Sequence, residues 1–168
     1  MRWYTLFLQE IRKLFLLFGK QPTEAPLQPE GDVVSDKLTE NFRLSEFKCK
    51  DGTDVPEELM EHVQLLADNL QVLREHLGLS IRVISGYRTP EYNRKIGGAA
   101  RSQHMQAKAA DIKITGLSPG EIKEAIESLI KDSKMMKGGV GLYKTFTHYD
   151  VRGRNARWHG KGMKDDNN

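Results

Sequence analysis

The chain has 168 residues, with 26 lysines and arginines against 23 aspartates and glutamates. This length suits one domain with its own core and excludes two domains of ordinary size. The charges are nearly balanced and scattered, which argues against a nucleic-acid-binding surface. Cys49 is the only cysteine, so an intramolecular disulfide and a cysteine-rich zinc site are both excluded. Any bound metal must therefore be held by His, Asp or Glu.

The first twenty residues are rich in large apolar side chains but are interrupted by Glu10, Arg12 and Lys13. They are too short and too charged for a spanning helix, and they lack the unbroken apolar stretch of a signal peptide. We expect an amphipathic helix over residues 1–20 that contacts a membrane surface or a partner, or else packs as an extension. Residues 21–37 are polar and proline-rich, which predicts a flexible linker. Residues 161–168 are predicted to be a disordered tail.

The compact domain is predicted over residues 38–160. Pro56 opens a long helix, and Gly78 follows where that helix should end. Apolar side chains recur in it at spacings of three and four residues, which is typical of a face buried in a core. These are Leu59, Val63, Leu66, Leu70, Leu73 and Leu77.

The rest of the domain predicts short strands and helices. Ser118 followed by Glu121 is the capping-box pattern of a helix start. Strands are expected at 81–85, 110–114, 138–143, 146–151 and 156–158, with a tight turn between the third and fourth and a short helix at 90–96. The fold class is therefore α+β, a small antiparallel sheet with helices packed on one side.

Two strands carry side chains suited to a metal site. Alternation along a strand puts His148 and Asp150 on the same face. Asp111 lies in an otherwise apolar strand, and a buried carboxylate needs a partner. Catalytic zinc takes three protein ligands, and His104, Asp111 and His148 fit that number. With five histidines in the chain, this spacing alone is a weak signal.

Several motifs strengthen the prediction. The motifs are SGYRTPEYN from residue 85, SQH followed by KAAD, GGVGLY, HYDVR and a final RW. In this order they closely resemble the zinc D-Ala-D-Ala carboxypeptidase family, which is related to lysostaphin-type endopeptidases and the Hedgehog amino-terminal domain. The match runs from about Leu44 to Trp158. The resemblance implies a Hedgehog-like peptidase fold and one zinc ion held by His104, Asp111 and His148.

The resemblance also implies catalytic roles. In many relatives the general base is an acidic residue three positions before the last ligand, where this chain has Thr145. The His-x-Asp motif makes Asp150 the candidate base instead, with the alternative that Asp150 is the ligand and His148 the catalytic group. Arg88 is the candidate donor to the oxyanion. The alternative for Arg88 is a surface arginine paired with Glu91.

Three further positions bear on the site. Ser102 and Tyr87 are candidate substrate-binding residues, and the alternatives are a turn serine and a packed aromatic. The family usually has glycine where this chain has Ala107, and alanine is disfavoured only at positive φ.

The function implied is that of a zinc metallopeptidase that hydrolyses peptide bonds in the peptidoglycan stem, with a zinc-bound water as nucleophile. It would be a D-Ala-D-Ala carboxypeptidase or an L,D- or D,D-endopeptidase. We expect a monomer that acts on peptidoglycan or muropeptides at the bacterial cell wall, in the periplasm, outside the cell or released there by a phage. The alternatives are a zinc-binding recognition module without turnover, and a metal-free domain in which Asp111 pairs with Lys113 or Arg88.

Overall fold

The computed structural model describes residues 36–160. This part of the chain contains three α-helices, which are α1 (Met60–Leu77), α2 (Pro90–Lys95) and α3 (Pro119–Lys131). Its five strands are β1 (Ile81–Ser85), β2 (Ala109–Ile114), β3 (Gly139–Leu142), β4 (Thr147–Asp150) and β5 (Ala156–His159). Short 3₁₀ turns lie at Leu44–Phe47, Glu57–Leu59 and Gln103–Gln106. The predicted α+β class is confirmed.

The strands form one sheet in the order β1-β2-β4-β3-β5. The first three pairings are antiparallel, whereas β3 and β5 are parallel. The predicted antiparallel sheet is therefore confirmed in three of its four pairings, and the fourth, at the β5 edge, is parallel. The reason is topological: the loop after β4 reverses the chain, so β5 runs against β4 and hence along β3.

One face of the sheet is covered by α1 and α3. The apolar stripe of α1 is buried at Val63, Leu66, Leu70 and Leu73, as its spacing predicts. The helix begins at Met60 after a 3₁₀ turn, slightly later than the predicted start at Pro56, and ends at Gly78 with a φ of 65°. Helix α3 packs against β3 and β4. The hydrophobic core therefore lies between these helices and the sheet, which leaves the opposite face available for the site.

Tyr149 shows which face of β4 meets the core. Its ring is fully buried, and the single proton of its hydroxyl is shared between two acceptors, the carbonyl of Met136 at 2.8 Å and Oδ1 of Asn69 on α1 at 3.1 Å. The neighbouring His148 must therefore point to the other face, because successive strand residues alternate.

The amino-terminal end of the described residues is held by hydrogen bonds. Asp36, which the sequence placed in the linker, accepts hydrogen bonds from the Ser45 backbone and hydroxyl, and its carbonyl accepts one from Leu44. The helix expected at 1–20 and the tail expected at 161–168 lie outside the described residues. Among the helices of residues 36–160, none has the length and apolar character needed to cross a membrane.

Candidate metal centre

Two adjacent strands bring the first pair of site residues together. In the register of β2 and β4, Asp111 lies directly opposite His148. Facing residues of an antiparallel pair have side chains close enough for contact. The Nδ1 of His148 is 2.9 Å from the Oδ1 of Asp111. The sheet itself therefore fixes two of the three candidate ligands.

The third candidate ligand is held by the turn that follows β1. His104 Nδ1 donates to the carbonyl of Gly86 at 2.7 Å, and the Arg88 backbone N–H donates to the carbonyl of His104 at 3.1 Å. Position 86 requires glycine because a Cβ there would lie 2.6 Å from the backbone of Phe47. The SGYR motif thus orients His104 through backbone contacts.

The three side chains converge on one point. The Nε2 of His104 lies 3.2 Å from the Nδ1 of His148 and 3.3 Å from the Oδ1 of Asp111. All three residues are buried, and among residues 36–160 they form the one group of His, Cys, Asp or Glu side chains able to hold a metal ion. The structure therefore brings together the ligand set predicted from the sequence.

The donor set fits a tetrahedral metal ion. The outer nitrogens of both imidazoles face acceptors, the Gly86 carbonyl for His104 and the Asp150 carboxylate for His148. When these nitrogens carry the ring protons, the inner nitrogens present lone pairs to each other and to Asp111, an arrangement that needs a cation. Zinc with ligand bonds of about 2.0–2.1 Å places tetrahedral ligand atoms about 3.3 Å apart. Two of the three donor separations, 3.2 and 3.3 Å, match that value, and the third, between His148 and Asp111, is shorter at 2.9 Å.

The electrostatics of the three groups differ. Burial lowers the pKa of His104. Burial also opposes charge on Asp111, but hydrogen bonds from His104 and His148 outweigh it and hold the pKa of this carboxyl well below its ordinary value. For His148 burial is likewise outweighed, and hydrogen bonds to Asp111 and Asp150 raise its pKa. The raised pKa of His148 means that its two carboxylate neighbours favour the charged form of the ring.

Asp150 lies behind His148, away from the pocket. Its side chain is fully buried and is absent from the pocket lining. Its Oδ2 accepts from His148 Nε2 at 3.1 Å and from Arg152 Nη2 at 2.6 Å, while Oδ1 accepts from Gly139 N and Arg152 Nε. Although burial alone would raise the pKa of Asp150, the hydrogen bonds from His148 and Arg152 lower it. The carboxylate predicted to be the general base therefore does not line the pocket.

Arg88 forms part of the pocket wall. Its Nε donates to Ser85 Oγ at 3.0 Å, and its Nη2 donates to Asp111 Oδ2. The alternative pairing with Glu91 is wrong, since Glu91 pairs with Arg94. The Arg88–Asp111 pair expected for a metal-free domain is present, but it occupies only Oδ2. The Oδ1 of Asp111 still faces the two imidazoles.

The candidate metal-ligating group, His104, Asp111 and His148, lies in a pocket of about 510 Å³. Ser102 is half-buried and lines this pocket, and its contact with substrate stays a prediction. Tyr87 does not line it: its side chain is buried in the hydrophobic core, so a contact with substrate is not supported. Arg101, Tyr143, Phe146, Arg152 and Trp158 also line the pocket.

An aromatic wall supports His148. The Trp158 ring lies 5.0 Å from the His148 ring, and its Nε1 donates to the Tyr143 hydroxyl at 3.1 Å. Position 141 requires glycine because a Cβ there would lie 2.5 Å from the Trp158 ring. Neither Trp158 nor Tyr143 was assigned to the site from the sequence. These contacts depend on the parallel β3–β5 pairing, which was not predicted.

Arg152 was also missed. It follows His148 and Asp150 at the same two-residue interval, so strand alternation extended past β4 would have placed it on the site face.

The structure also gives the backbone conformation at Ala107, where the family usually has glycine. Ala107 adopts a φ of 51°, the left-handed region in which the family's usual glycine is unstrained.

Comparison with known proteins identifies the family of this chain. Residues 37–150 match the model of the family described as Peptidase M15. Because this match covers more than half of the chain, the protein belongs to the peptidase M15 family. Over 89 residues it is 36% identical to a Haemophilus influenzae protein described as a probable peptidoglycan L,D-endopeptidase, MepK. That match covers 47% of this chain and 45% of the relative, so the chain spans about half the length of that relative.

Proposed function

We propose that the protein is a zinc-dependent peptidase that hydrolyses peptide bonds in the peptidoglycan stem. The observation that carries the proposal is the convergence of three buried donor atoms in the pocket of a Peptidase M15 member. The description of the relative as an L,D-endopeptidase supports endopeptidase activity. A D-Ala-D-Ala carboxypeptidase is the second assignment within the same chemistry. Action at the cell wall and a monomeric state are parts of this proposal.

The residues that would hold zinc are His104, Asp111 and His148. When bound, zinc supplies a Lewis acid and lowers the pKa of a coordinated water toward 7. The chain's own contribution is to hold the imidazole nitrogens and the carboxylate oxygen in place before binding. Both imidazoles are fixed by their outer hydrogen bonds, which is how outer contacts orient metal ligands.

Arg88 is suited to bind the carbonyl oxygen of the scissile bond. Its Nε and Nη2 are held by Ser85 and Asp111, which leaves Nη1 to reach the substrate. A donor fixed in advance stabilises a developing oxyanion without reorganising. Loss of one such donor typically costs about 2.7–4 kcal/mol of transition-state stabilisation.

Asp150 is better assigned as a positioning residue than as the general base. Its carboxylate reaches the pocket only through His148, whose Nε2 it engages, and this leaves Nδ1 turned toward the metal position. Arg152 and Gly139 occupy its other acceptor positions. This role replaces the assignment made from the sequence motif alone.

The recognition module without turnover is the second candidate function. The observation that favours it is that Asp111 is the one carboxylate among the described residues that line the pocket, and it belongs to the metal-ligating group. No separate acidic side chain therefore faces the pocket from residues 36–160. Such a module would bind zinc and the same peptides but release no product.

Digestion of peptidoglycan fragments tests the proposal. The zinc-loaded chain is incubated with purified muropeptides, and the products are identified by mass spectrometry. We expect one defined cleavage that stops when a chelator removes the metal and resumes when zinc is added back. Zinc binding without any product would support the recognition module and contradict the peptidase.

A further inference from the structure

A second groove adjoins the metal pocket. The two depressions share the side chains of Arg101, Gln103 and Arg152 as a common wall. The groove has a volume of about 530 Å³ and also includes Arg154 in its lining. A substrate that lies over the metal centre can therefore extend directly into this groove.

The groove is strongly basic. Its lining includes Arg101, Arg152 and Arg154 and, among the residues that the structure describes, no acidic side chain. In the neighbouring pocket, the carboxylate of Asp111 is already engaged by Arg88 and the two imidazoles. The arginines that line the groove therefore outnumber the nearby carboxylates that could neutralise them.

The three arginines differ in what holds them. Arg152 is bound along one edge to Asp150, and its guanidinium lies 5.5 Å from the centre of the Trp158 ring. Arg101 and Arg154 are exposed, and neither makes a hydrogen bond or ion pair with another residue in the described part of the chain. One guanidinium is therefore fixed in orientation, and two beside it have free donors.

We propose that this arginine groove, formed by Arg101, Arg152 and Arg154, is a subsite that recognises a free carboxylate of the substrate beside the bond that is cut. A guanidinium presents a planar fork of donors that matches a carboxylate, and the pairing is stronger than a neutral hydrogen bond. The shared wall also contains Gln103, whose side-chain amide is a further donor. The inference rests on the proposed peptidase function and assigns the substrate class: anionic stem peptides with this carboxylate unblocked.

The experiment uses the zinc-loaded full chain and a set of synthetic stem peptides in which each carboxylate in turn is amidated. Amidation removes the negative charge at nearly constant shape. We expect one carboxylate of the peptide to matter. Both kcat/KM and binding affinity should be about tenfold higher for the unblocked peptide than for the peptide in which that carboxylate is amidated, which is the scale of one charge-assisted hydrogen bond. Both ratios should fall as salt is raised, because exposed charges are screened.

The double variant Arg101→Gln/Arg154→Gln tests the residues. In this variant we expect the ratios of kcat/KM and of affinity between the free and the amidated peptide to fall to within about twofold of unity, because two charge-assisted donors are removed. Arg82→Gln is the matched control, because it removes one arginine charge from an exposed position that lines neither depression. The control should keep the wild-type preference, and thermal melting checks that each variant is folded.

Two readouts separate failure of the subsite from failure of the peptidase proposal. If no peptide is hydrolysed but calorimetry shows a carboxylate preference that the double variant loses, the peptidase proposal fails and the subsite stands. If wild type binds all peptides equally, or the double variant keeps the preference, the subsite is overturned. Binding of inorganic phosphate as tight as that of the peptide, and lost in the double variant, would make the groove a phosphate site and also overturn it.

Discussion

At the scale of single residues, the candidate metal centre depends on hydrogen bonds to the imidazole nitrogens that face away from the metal position. The Gly86 carbonyl orients His104, and the Asp150 carboxylate orients His148. The first comes from a turn of the SGYR motif and the second from a neighbour on the same strand. Removing either acceptor should loosen a ligand without touching the pocket surface.

Replacing Asp150 separates a positioning role from a base role. Asp150→Asn keeps the shape of the side chain but removes the charge that His148 and Arg152 engage. Substitution of such outer partners typically costs about 10–100-fold in metal affinity. We therefore expect weaker zinc binding in competition with a chelator, and turnover that recovers when zinc is saturating. Wild-type zinc affinity with turnover lost at saturating zinc would instead show that Asp150 is the general base.

Ala107 allows two opposing effects to be weighed. Its left-handed conformation costs about 1–2 kcal/mol, which glycine would relieve. Ala107→Gly also loses a buried methyl worth about 0.8 kcal/mol and adds about 0.4–1 kcal/mol of freedom to the unfolded chain. The terms nearly cancel, so the free energy of unfolding should change by less than about 1 kcal/mol.

Urea denaturation measures this change. Ala107→Val is the control, because a β-branched residue at positive φ should destabilise the fold clearly. Stabilisation of the glycine variant by more than about 2 kcal/mol would show that backbone strain dominates at this position.

At the scale of elements, the start of α3 is set by a reciprocal pair of side-chain contacts. Ser118 Oγ accepts from the Glu121 backbone, and Glu121 Oε2 accepts from the Ser118 backbone at 2.7 Å. The same helix packs against the core face of β3 and β4, and β4 carries His148 on its opposite face. The stability of this helix start is therefore coupled to the sheet that positions His148.

The capping pair should give a pH-dependent contribution to stability. Hydrogen bonds from Ser118 lower the pKa of Glu121 from its ordinary value of 4.5. A carboxylate whose pKa is lower in the folded state stabilises the fold above its unfolded pKa and loses that effect as pH falls through the folded value. The difference in unfolding free energy between wild type and Glu121→Gln should therefore shrink between about pH 6 and pH 3.

Chemical denaturation at each pH measures this difference. Ser118→Ala should cost about 1 kcal/mol at neutral pH, as is typical for loss of an N-cap. A difference between wild type and Glu121→Gln that is independent of pH would show that the carboxylate does not contribute through its charge.

The elements also show why sequence reasoning succeeded in some places and not in others. The stripe of α1, the capping box at Ser118 and the alternation in β4 are local patterns, and all three predicted the structure. The position of β5 depends on which strand has a free edge after β4 folds, which no local pattern encodes. The burial of Tyr87 and Asp150 likewise depends on distant partners, the core and the Gly139 backbone.

At the scale of the whole molecule, the metal centre combines parts from four separate stretches of chain. The turn after β1, the 3₁₀ turn Gln103–Gln106, and strands β2 and β4 each supply a candidate ligand or its support. The order of the motifs predicted which residues would meet. It did not predict that Asp150 would turn away from the pocket, because that depends on Arg152 and the glycines of β3.

Removal of residues 1–34 tests whether the site needs the amino-terminal segment. The hydrogen bonds that begin at Asp36 and the core around α1 lie within residues 36–160. We expect the truncated chain to keep its thermal stability, zinc content and turnover. A truncated chain that is unfolded by circular dichroism would show that the removed segment belongs to the core.

The most direct test of the proposed zinc site is the metal content of the purified chain and of His104→Ala, measured by inductively coupled plasma mass spectrometry. His104 contributes one of the three converging donor atoms, and its removal leaves too few for a stable zinc site. We predict one zinc ion per wild-type chain and none in His104→Ala at the same free zinc concentration. Wild-type chain without metal, or a variant that retains it, would contradict the assignment of this centre.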